Sequence, residues 1–240
     1  MIKIDYVCGT HPGKVRERNE DAYFADPELG LWLVADGMGG HQAGEIASGI
    51  VVQEVPKAIR KGESLAEAIE GAHMIIQVAS EQVGGAKQMG STVVALKLDE
   101  NLHYRIAWVG DSRAYLWNGF ELKRLTKDHT YVQLLLEFGM ILEEEIHTHP
   151  SRNVIVQGLG VGGGAGGSVK VDELEGSLSL GDTLLLCSDG LSGEIRDPEI
   201  AEILSEPVDN EERLARLIEA ALAFGGSDNI TVVLVTPTRA

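Results

Sequence analysis

The stretch Leu31-Trp-Leu-Val-Ala-Asp-Gly-Met-Gly-Gly-His41 runs from five apolar residues directly into an aspartate and a glycine-rich turn. A short apolar run that stops at turn-forming residues is typical of a buried β-strand. We therefore predict a strand over 30–35, with Asp36 at the edge of a sheet. Comparable apolar runs predict the remaining strands, at 2–8, 22–25, 91–98, 103–109, 113–117, 183–187 and 230–236.

Helical periodicity separates these strands into blocks. One amphipathic helix is predicted by a single stripe of apolar residues: Leu65, Ile69, Ala72, Ile76, Ala79 and Val83. A second helix follows Asn210 and ends at Gly225, and a short one covers 197–204 with Asp197 as its N-cap. Weaker patterns cover 42–60 and 130–146. Because strands and helices do not alternate strictly, we predict an α+β fold of antiparallel sheet with helices packed outside it.

The composition limits the class of protein. The 240 residues predict a single domain over 1–240, and 37 acidic against 20 basic residues give a net charge of −17. This charge argues against binding to nucleic acid, which needs clustered Lys and Arg.

The longest apolar runs have five residues, so we expect no membrane helix, and we expect no secretory signal. The expectation is a cytoplasmic monomer in which Cys8 and Cys187 are buried thiols.

Four aspartates lie where a predicted strand meets a turn: Asp36, Asp111, Asp189 and Asp228. Each of them alone could be an ordinary turn residue that caps its own backbone. Together they indicate more, because the ends of neighbouring strands in a sheet lie close together. Converging carboxylates repel one another unless a cation or a proton offsets their charge. An all-oxygen ligand set, with no Cys or His pair at zinc spacing, favours a hard divalent ion such as Mg²⁺ or Mn²⁺.

Two further stretches allow alternative interpretations. The charged stretch Arg16-Glu-Arg-Asn-Glu-Asp21 is typical of a solvated turn, but an arginine beside a metal cluster is the expected clamp for a phosphate group. The glycine-rich stretch 158–168 contains the spacing G-x-G-x-x-G, yet a strand-like pattern follows it where a dinucleotide site needs a helix. We interpret that stretch as a mobile loop.

With these motifs the chain resembles the metal-dependent protein phosphatases, the PPM family of type 2C Ser/Thr phosphatases, and in particular its compact bacterial members. The matching motifs occur in the family's order along nearly the whole chain: Arg16-x-x-Asn-Glu-Asp21, Val34-Ala-Asp-Gly-Met-Gly-Gly-His41 with Gly44-Glu45 and Ala47-Ser48, Gly90-Ser-Thr92, Val109-Gly-Asp-Ser-Arg113, Asp128-His-Thr130, Cys187-Ser-Asp-Gly-Leu191 and Gly226-Ser-Asp-Asn-Ile-Thr231. Each motif alone is a weak signal, whereas the ordered series makes chance similarity very improbable.

The resemblance implies a central sandwich of two antiparallel β-sheets flanked by helices, with two Mn²⁺ or Mg²⁺ ions at one end and a third, weaker ion beside them. By this resemblance Asp36 bridges the two ions and the carbonyl group of Gly37 binds one of them. The remaining residues implied as metal ligands, directly or through water, are Glu20, Asp21, Asp189, Asp228 and, for the third ion, Asp111. Arg16 corresponds to the family's phosphate-binding arginine.

The resemblance also implies a mechanism and a substrate. Water held between the two ions attacks phosphorus, with Asp36 and Arg16 as the catalytic residues and phosphoserine or phosphothreonine in proteins as the substrate. Met38 replaces a histidine of eukaryotic relatives, so the general acid could be His41 or a metal-bound water, and His41 could instead bind substrate. The segment 131–167 corresponds to the mobile flap of bacterial relatives.

Three functions remain open at this point. The first is a phosphoprotein phosphatase that opposes a bacterial Ser/Thr kinase. The second is a regulatory phosphatase of the anti-sigma-factor type, and the third is a catalytically silent member that only binds phosphoproteins. The complete set of acidic residues together with Arg16 argues against the silent form.

Overall fold

The computed structural model describes residues 2–39, 42–82, 89–161 and 167–239, and within these ranges eleven strands form two antiparallel β-sheets. The first sheet has five strands in the spatial order β1, β11, β10, β7, β8. Their bounds are Ile2–His11 for β1, Arg113–Trp117 for β7, Leu122–Arg124 for β8, Thr183–Cys187 for β10 and Ile230–Arg239 for β11.

The second sheet has the spatial order β2, β3, β5, β6, β9, and the short strand β4 pairs with the end of β3. Their bounds are Asp21–Asp26 for β2, Leu31–Met38 for β3, Gly90–Ser91 for β4, Val93–Leu98 for β5, His103–Val109 for β6 and Asp172–Ser177 for β9.

Helices cover the outer face of each sheet. Helices α1 (Ala43–Arg60) and α2 (Leu65–Gln82) pack on the second sheet. Helices α4 (Asp189–Ser192), α5 (Asp197–Ser205) and α6 (Asn210–Phe224) pack on the first sheet. Helix α3 (Tyr131–Glu137) and a 3₁₀ helix (Glu143–Thr148) lie in the segment that connects β8 to β9. The layers are therefore helix, sheet, sheet, helix.

The apolar run of β3 is continuous because both of its faces are covered. Leu31, Leu33 and Ala35 belong to the core between the second sheet and its helices. Trp32 and Val34 belong to the core between the two sheets. All five side chains are fully buried, and Asp36 follows them inside β3, which continues to Met38 and so extends beyond the predicted end at residue 35.

The predicted fold class is confirmed, and most predicted elements lie within a few residues of their observed bounds. The helix predicted over 130–146 is wrong, because α3 ends at Glu137 and Gly139 takes a φ of +66°, which a helix cannot continue. The strand predicted over 91–98 is interrupted at Thr92. Val83 lies outside the described residues.

Smaller corrections concern a helix cap and one thiol. Arg196 is the N-cap of α5, so Asp197 is its first helical residue and not its cap. Cys187 is buried as predicted, whereas Cys8 is only half-buried, and both are free. Burial raises the pKa of Cys8 to about 11 and that of Cys187 to about 12.

In the part of the chain that the structure describes, no helix combines the length and the hydropathy needed to cross a bilayer.

Candidate functional site

The predicted site residues meet at one end of the sandwich, where strands of both sheets begin or end. Asp21 and Asp36 are direct partners in the pairing of β2 with β3. Asp111 follows β6, Asp189 follows β10 by two residues, and Asp228 precedes β11 by two residues. The antiparallel order brings these strand ends together from positions that are up to 207 residues apart in the chain.

Asp21 connects the two sheets. Its Oδ2 atom accepts hydrogen bonds from the hydroxyl groups of Ser188 and Thr231, each at 2.7 Å. Burial raises the pKa of Asp21 to about 7, and the negative charges of Asp189 and Asp228 act in the same direction. The two hydroxyl groups oppose this shift, because they stabilise the carboxylate form.

Asp36 and Asp189 lie close to each other, and the contact with Asp36 opposes the rise in the pKa of Asp189. Burial raises the pKa of Asp36 well above its usual range, and the charges of Asp21, Asp189 and Asp111 raise it further. Burial also raises the pKa of Asp189. The backbone of Asp36 is fixed on both sides, since its N–H donates to Thr92 Oγ1 at 3.0 Å and its carbonyl group accepts from the Thr92 N–H at 2.8 Å.

Asp111 lies in a turn that other side chains hold in place. It is 6% exposed, and burial together with the charges of Asp189 and Asp128 raises its pKa well above the usual range. The preceding residue, Gly110, has a φ of +104° and donates its N–H to Nδ1 of His129 at 3.1 Å. The glycine permits this turn, and the imidazole ring fixes it.

Glu20 and Gly37 lie against the start of α1. The carbonyl group of Glu20 accepts from the Gly37 N–H at 3.1 Å and from Ser48 Oγ at 2.6 Å. A Cβ atom on Gly37 would lie 2.1 Å from the carbonyl oxygen of Gly44, and a Cβ atom on Gly44 would lie 2.8 Å from the Glu20 carboxyl group. Burial raises the pKa of Glu20, and the charge of Arg16 opposes this effect.

Arg16 reaches the cluster from the loop between β1 and β2. Its Nη2 atom donates to Asp228 Oδ2 at 2.6 Å, and its side chain is 53% exposed. The guanidinium group thus pairs with one carboxylate of the cluster while much of it still faces solvent. This arrangement leaves N–H donors available to a phosphate group.

The chemistry of these side chains fits a divalent cation. Three carboxylate oxygens are buried without a hydrogen-bond partner among the described residues: Asp21 Oδ1, Asp111 Oδ1 and Asp189 Oδ1. Such a buried acceptor costs about 1–3 kcal/mol, and a hard cation that prefers oxygen ligands would satisfy it. No three acidic, His or Cys side chains of the described ranges already surround one common point. Metal binding therefore requires some of these carboxyl groups to rotate toward a shared point.

Sequence reasoning missed Asn229 as a site residue. Its side-chain amide donates to the carbonyl groups of Pro12 and Arg18, at 2.9 and 2.8 Å, and its Oδ1 accepts from the Glu20 N–H at 2.7 Å. It therefore fastens the loop that carries Arg16 to the start of β11. The sequence offered one indication of its role, because Asn229 directly follows Asp228 in the motif Gly226-Ser-Asp-Asn-Ile-Thr231. Ser188 and Thr231 were missed in the same way.

His41 and Gly40 lie outside the described residues, so the assignment of His41 to substrate binding stays a prediction. Carbon atoms of Met38 lie 3.1 Å and 3.0 Å from the positions where Gly90 and Gly158 would carry a Cβ atom. Met38 thus packs against glycine backbone and has no group that could donate a proton.

Comparisons with known proteins show the family of this chain. The family model for protein phosphatase 2C matches residues 8–234. The serine/threonine phosphatase stp of Listeria monocytogenes is 36% identical over 239 residues, covering 94% of this chain and 93% of that protein. The serine/threonine protein phosphatase PstP of Mycobacterium tuberculosis is 38% identical over 239 residues. That match covers 97% of this chain and 45% of PstP, so the chain spans about half the length of that relative.

A solved structure gives the same result at the level of the fold. The catalytic domain of the serine threonine protein phosphatase PstP, in complex with two manganese ions, superimposes on this chain with a TM-score of 0.86. The two chains are 34% identical, and the superposition covers 100% of each.

Proposed function

Because this chain belongs to the protein phosphatase 2C family, we propose that it is a metal-dependent phosphatase that hydrolyses phosphoserine and phosphothreonine in proteins. The observation that carries the proposal is the cluster of buried carboxyl groups beside the half-exposed Arg16, since three of these groups have an oxygen without a hydrogen-bond partner among the described residues. A protein that only bound phosphoproteins would gain nothing from crowding these acids together, since their mutual repulsion destabilises the fold.

The proposed cofactor is a pair of Mn²⁺ or Mg²⁺ ions, with a third, weaker ion beside them. Asp36 would bind both ions, with the Gly37 carbonyl group on one side, and Asp111 would bind the third. The other proposed ligands are Glu20, Asp21, Asp189 and Asp228. When bound, the ions lower the pKa of water and offset negative charge on the phosphate.

The chain's own residues bind and orient the phosphate group. The planar guanidinium group of Arg16 matches two phosphate oxygens, and its contact with Asp228 limits the positions it can adopt. Ser188 and Thr231 hold Asp21 in one orientation through its Oδ2 atom. His41 is the proposed substrate-binding histidine near the same site.

Further parts of the proposal concern partners and organisation. The substrates would be phosphorylated proteins, and the reaction would oppose a Ser/Thr kinase in the cytoplasm. We propose a monomer with one domain over 1–240 and a mobile flap around 131–167. The match of one family model to residues 8–234 supports the single domain.

Release of phosphate from a phosphothreonine peptide tests the proposal. We expect turnover with Mn²⁺, none with chelator, and a loss of at least about 100-fold in Asp36→Asn. Glu219→Gln is the matched control, because Glu219 is exposed on α6 and loses the same charge far from the cluster. Activity that survives chelation, or full activity in Asp36→Asn, contradicts the metal mechanism.

A further inference from the structure

Glu194 joins two of the loops that carry acids of the cluster. It lies five residues after Asp189, and its Oε1 atom accepts hydrogen bonds from the Ser227 N–H, at 2.8 Å, and from the Ser227 hydroxyl group. Ser227 directly precedes Asp228. A Cβ atom on Gly225 would lie 2.6 Å from the Glu194 carboxyl group, so this glycine leaves room for the contact. One carboxylate thus connects the loop after β10 to the turn before β11.

The backbone of Glu194 is itself fixed relative to Asp189. The Gly193 N–H donates to the Asp189 carbonyl group at 2.6 Å, and the Glu194 N–H donates to the Leu191 carbonyl group at 3.2 Å. Leu191 is fully buried in the core between the first sheet and its helices. The carboxylate of Glu194 therefore extends from a turn that the core and Asp189 hold in place.

Other backbone hydrogen bonds hold the earlier part of the turn before β11. Gly226 follows α6 with a φ of +58°, and its N–H donates to the Ala221 carbonyl group at 3.0 Å. Its carbonyl group accepts from the Lys14 N–H at 2.7 Å. Ser227 is exposed and uses both its N–H and its hydroxyl group on Glu194. Without Glu194 the last residue of the turn would be released while the earlier ones stay attached.

We propose that Glu194 is a positioning residue for Asp228 and thereby sets the affinity of the site for its divalent ions. This inference rests on the proposed metal-dependent function, in which Asp189 and Asp228 are ligands. Groups that hold a ligand in place from behind tighten metal binding, because less conformational freedom is lost when the ion binds. Hydrogen bonds to a carboxylate are also stronger than those between neutral groups.

Glu67 makes the same pair of hydrogen bonds in another part of the fold. Its Oε2 atom accepts from the N–H and from the hydroxyl group of Ser64, each at 2.8 Å. Glu67 lies at the start of α2, beyond the end of α1. Because α1 has 18 residues and is about 27 Å long, and its first turn is the one that lies against Glu20, this contact is far from the cluster. Glu67 therefore serves as the matched control for a purely structural role.

Isothermal titration calorimetry with Mn²⁺ tests the inference. We expect Glu194→Ala to raise the Kd for Mn²⁺ by about tenfold. Glu194→Gln should raise it by less than about threefold, because the amide oxygen can still accept both hydrogen bonds. Glu67→Ala should lower the Tm and leave the Kd unchanged.

Hydrolysis of a phosphothreonine peptide gives a second measurement. With limiting Mn²⁺ the rate of Glu194→Ala should fall by about the factor by which its Kd rises. Saturating Mn²⁺ should restore most of the rate and leave KM for the peptide close to that of the unmodified protein. Loss of stability alone would not respond to Mn²⁺ in this way in Glu194→Ala and not in Glu67→Ala.

Three results overturn the inference: an unchanged Kd in Glu194→Ala, equal losses of affinity in Glu194→Ala and Glu194→Gln, or an equal rise of the Kd in Glu67→Ala. If Glu194→Ala does not fold, Ser227→Ala removes one of the two hydrogen bonds from the other side. The Kd should then rise by about threefold, and an unchanged Kd overturns the inference.

Failure of the proposed function gives a different pattern. If the unmodified protein binds Mn²⁺ but hydrolyses no peptide, the proposed function fails alone, and the Kd values of Glu194→Ala and Glu67→Ala still decide the role of Glu194. If the unmodified protein binds no Mn²⁺, the proposed cofactor and this inference are both wrong.

Discussion

At the scale of single residues, the hydrogen bonds of Asn229 require both the donors and the acceptor of its amide group. Its amide group uses two donors and one acceptor on three backbone groups of the loop between β1 and β2. Aspartate has the same shape but only acceptors when ionised. The carboxylate oxygens would repel the carbonyl oxygens of Pro12 and Arg18. The loop that carries Arg16 would then lose its hydrogen bonds to position 229.

We therefore expect Asn229→Asp to raise KM for a phosphorylated peptide by about tenfold, because Arg16 is no longer held in place. A double-mutant cycle with Arg16→Ala measures the coupling, and the two effects should be less than additive. Asn101→Asp, the same change in an exposed hairpin, should leave KM unchanged. Fully additive effects would show that Asn229 does not act through Arg16.

Asp21 makes the stability of the metal-free protein depend on pH. Its pKa in the folded protein is about 7, above the unfolded value near 3.9, so the folded state binds protons more readily. The stabilisation is complete below the unfolded pKa and is lost as the pH rises through 7. With chelator, the free energy of unfolding should fall by about 2–3 kcal/mol between about pH 5 and pH 8 from this group alone.

Urea titrations with chelator at several pH values measure this effect. Asp21→Asn should remove a large part of the fall, since the amide does not titrate. A free energy of unfolding that rises over the same pH range would contradict the assignment.

At the scale of elements, the docking of α1 on β3 depends on glycine. A Cβ atom at position 37 would lie 2.1 Å from the Gly44 carbonyl oxygen, which belongs to backbone and cannot turn aside. Helix α1 would have to move away from Glu20 and from the end of β3. The same helix contains Gly49, whose Cβ position is open to solvent with nothing within 4 Å.

Gly37→Ala should therefore lower the free energy of unfolding by about 1–3 kcal/mol and reduce the phosphatase rate. Gly49→Ala, the matched control, should be neutral or stabilise by up to about 1 kcal/mol, because alanine favours a helix. Chemical denaturation and peptide hydrolysis measure both variants. Equal stability of the two variants would show that α1 tolerates displacement.

Helix α2 also positions the glycine-rich stretch. His73 is 2% exposed, its Nδ1 accepts from the Gly160 N–H at 3.0 Å, and its Nε2 lies 2.8 Å from the carbonyl oxygen of Gly167. The two ends of the stretch are thus joined to one imidazole ring. The apolar stripe of α2 placed His73 on the helix, beside the stripe. The periodicity gave no indication that its ring would contact Gly160 and Gly167.

At the scale of the whole molecule, cation binding should stabilise the fold. Ions that bind only the folded state add RT ln(1 + [L]/Kd), which is about 2.7 kcal/mol at a concentration of 100 Kd. For a chain of this length we expect the Tm to rise by about 5–10 °C with Mn²⁺. The rise should be much smaller in Asp36→Asn and unchanged in Glu219→Gln. A Tm that does not respond to millimolar Mn²⁺ would contradict the proposed metal site.

The sequence by itself determined the strands and the place of the acids along them. Burial on both faces of a sheet requires continuous apolar runs such as 31–35 and 184–187, and the sequence places Asp36 and Asp189 immediately or two residues after these runs. These are local properties with a period of a few residues. They can be seen without knowing which strands are neighbours.

The tertiary structure alone decided what those acids contact. Asp21 lies 167 positions from Ser188 and 210 from Thr231, and Asn229 lies 209 positions from Glu20. Hydrogen bonds between segments so far apart leave no periodicity in the sequence, because each partner satisfies its own local pattern equally well without the other. Only the antiparallel order of the strands brings them within 3 Å and buries them, and that burial is what shifts their pKa values.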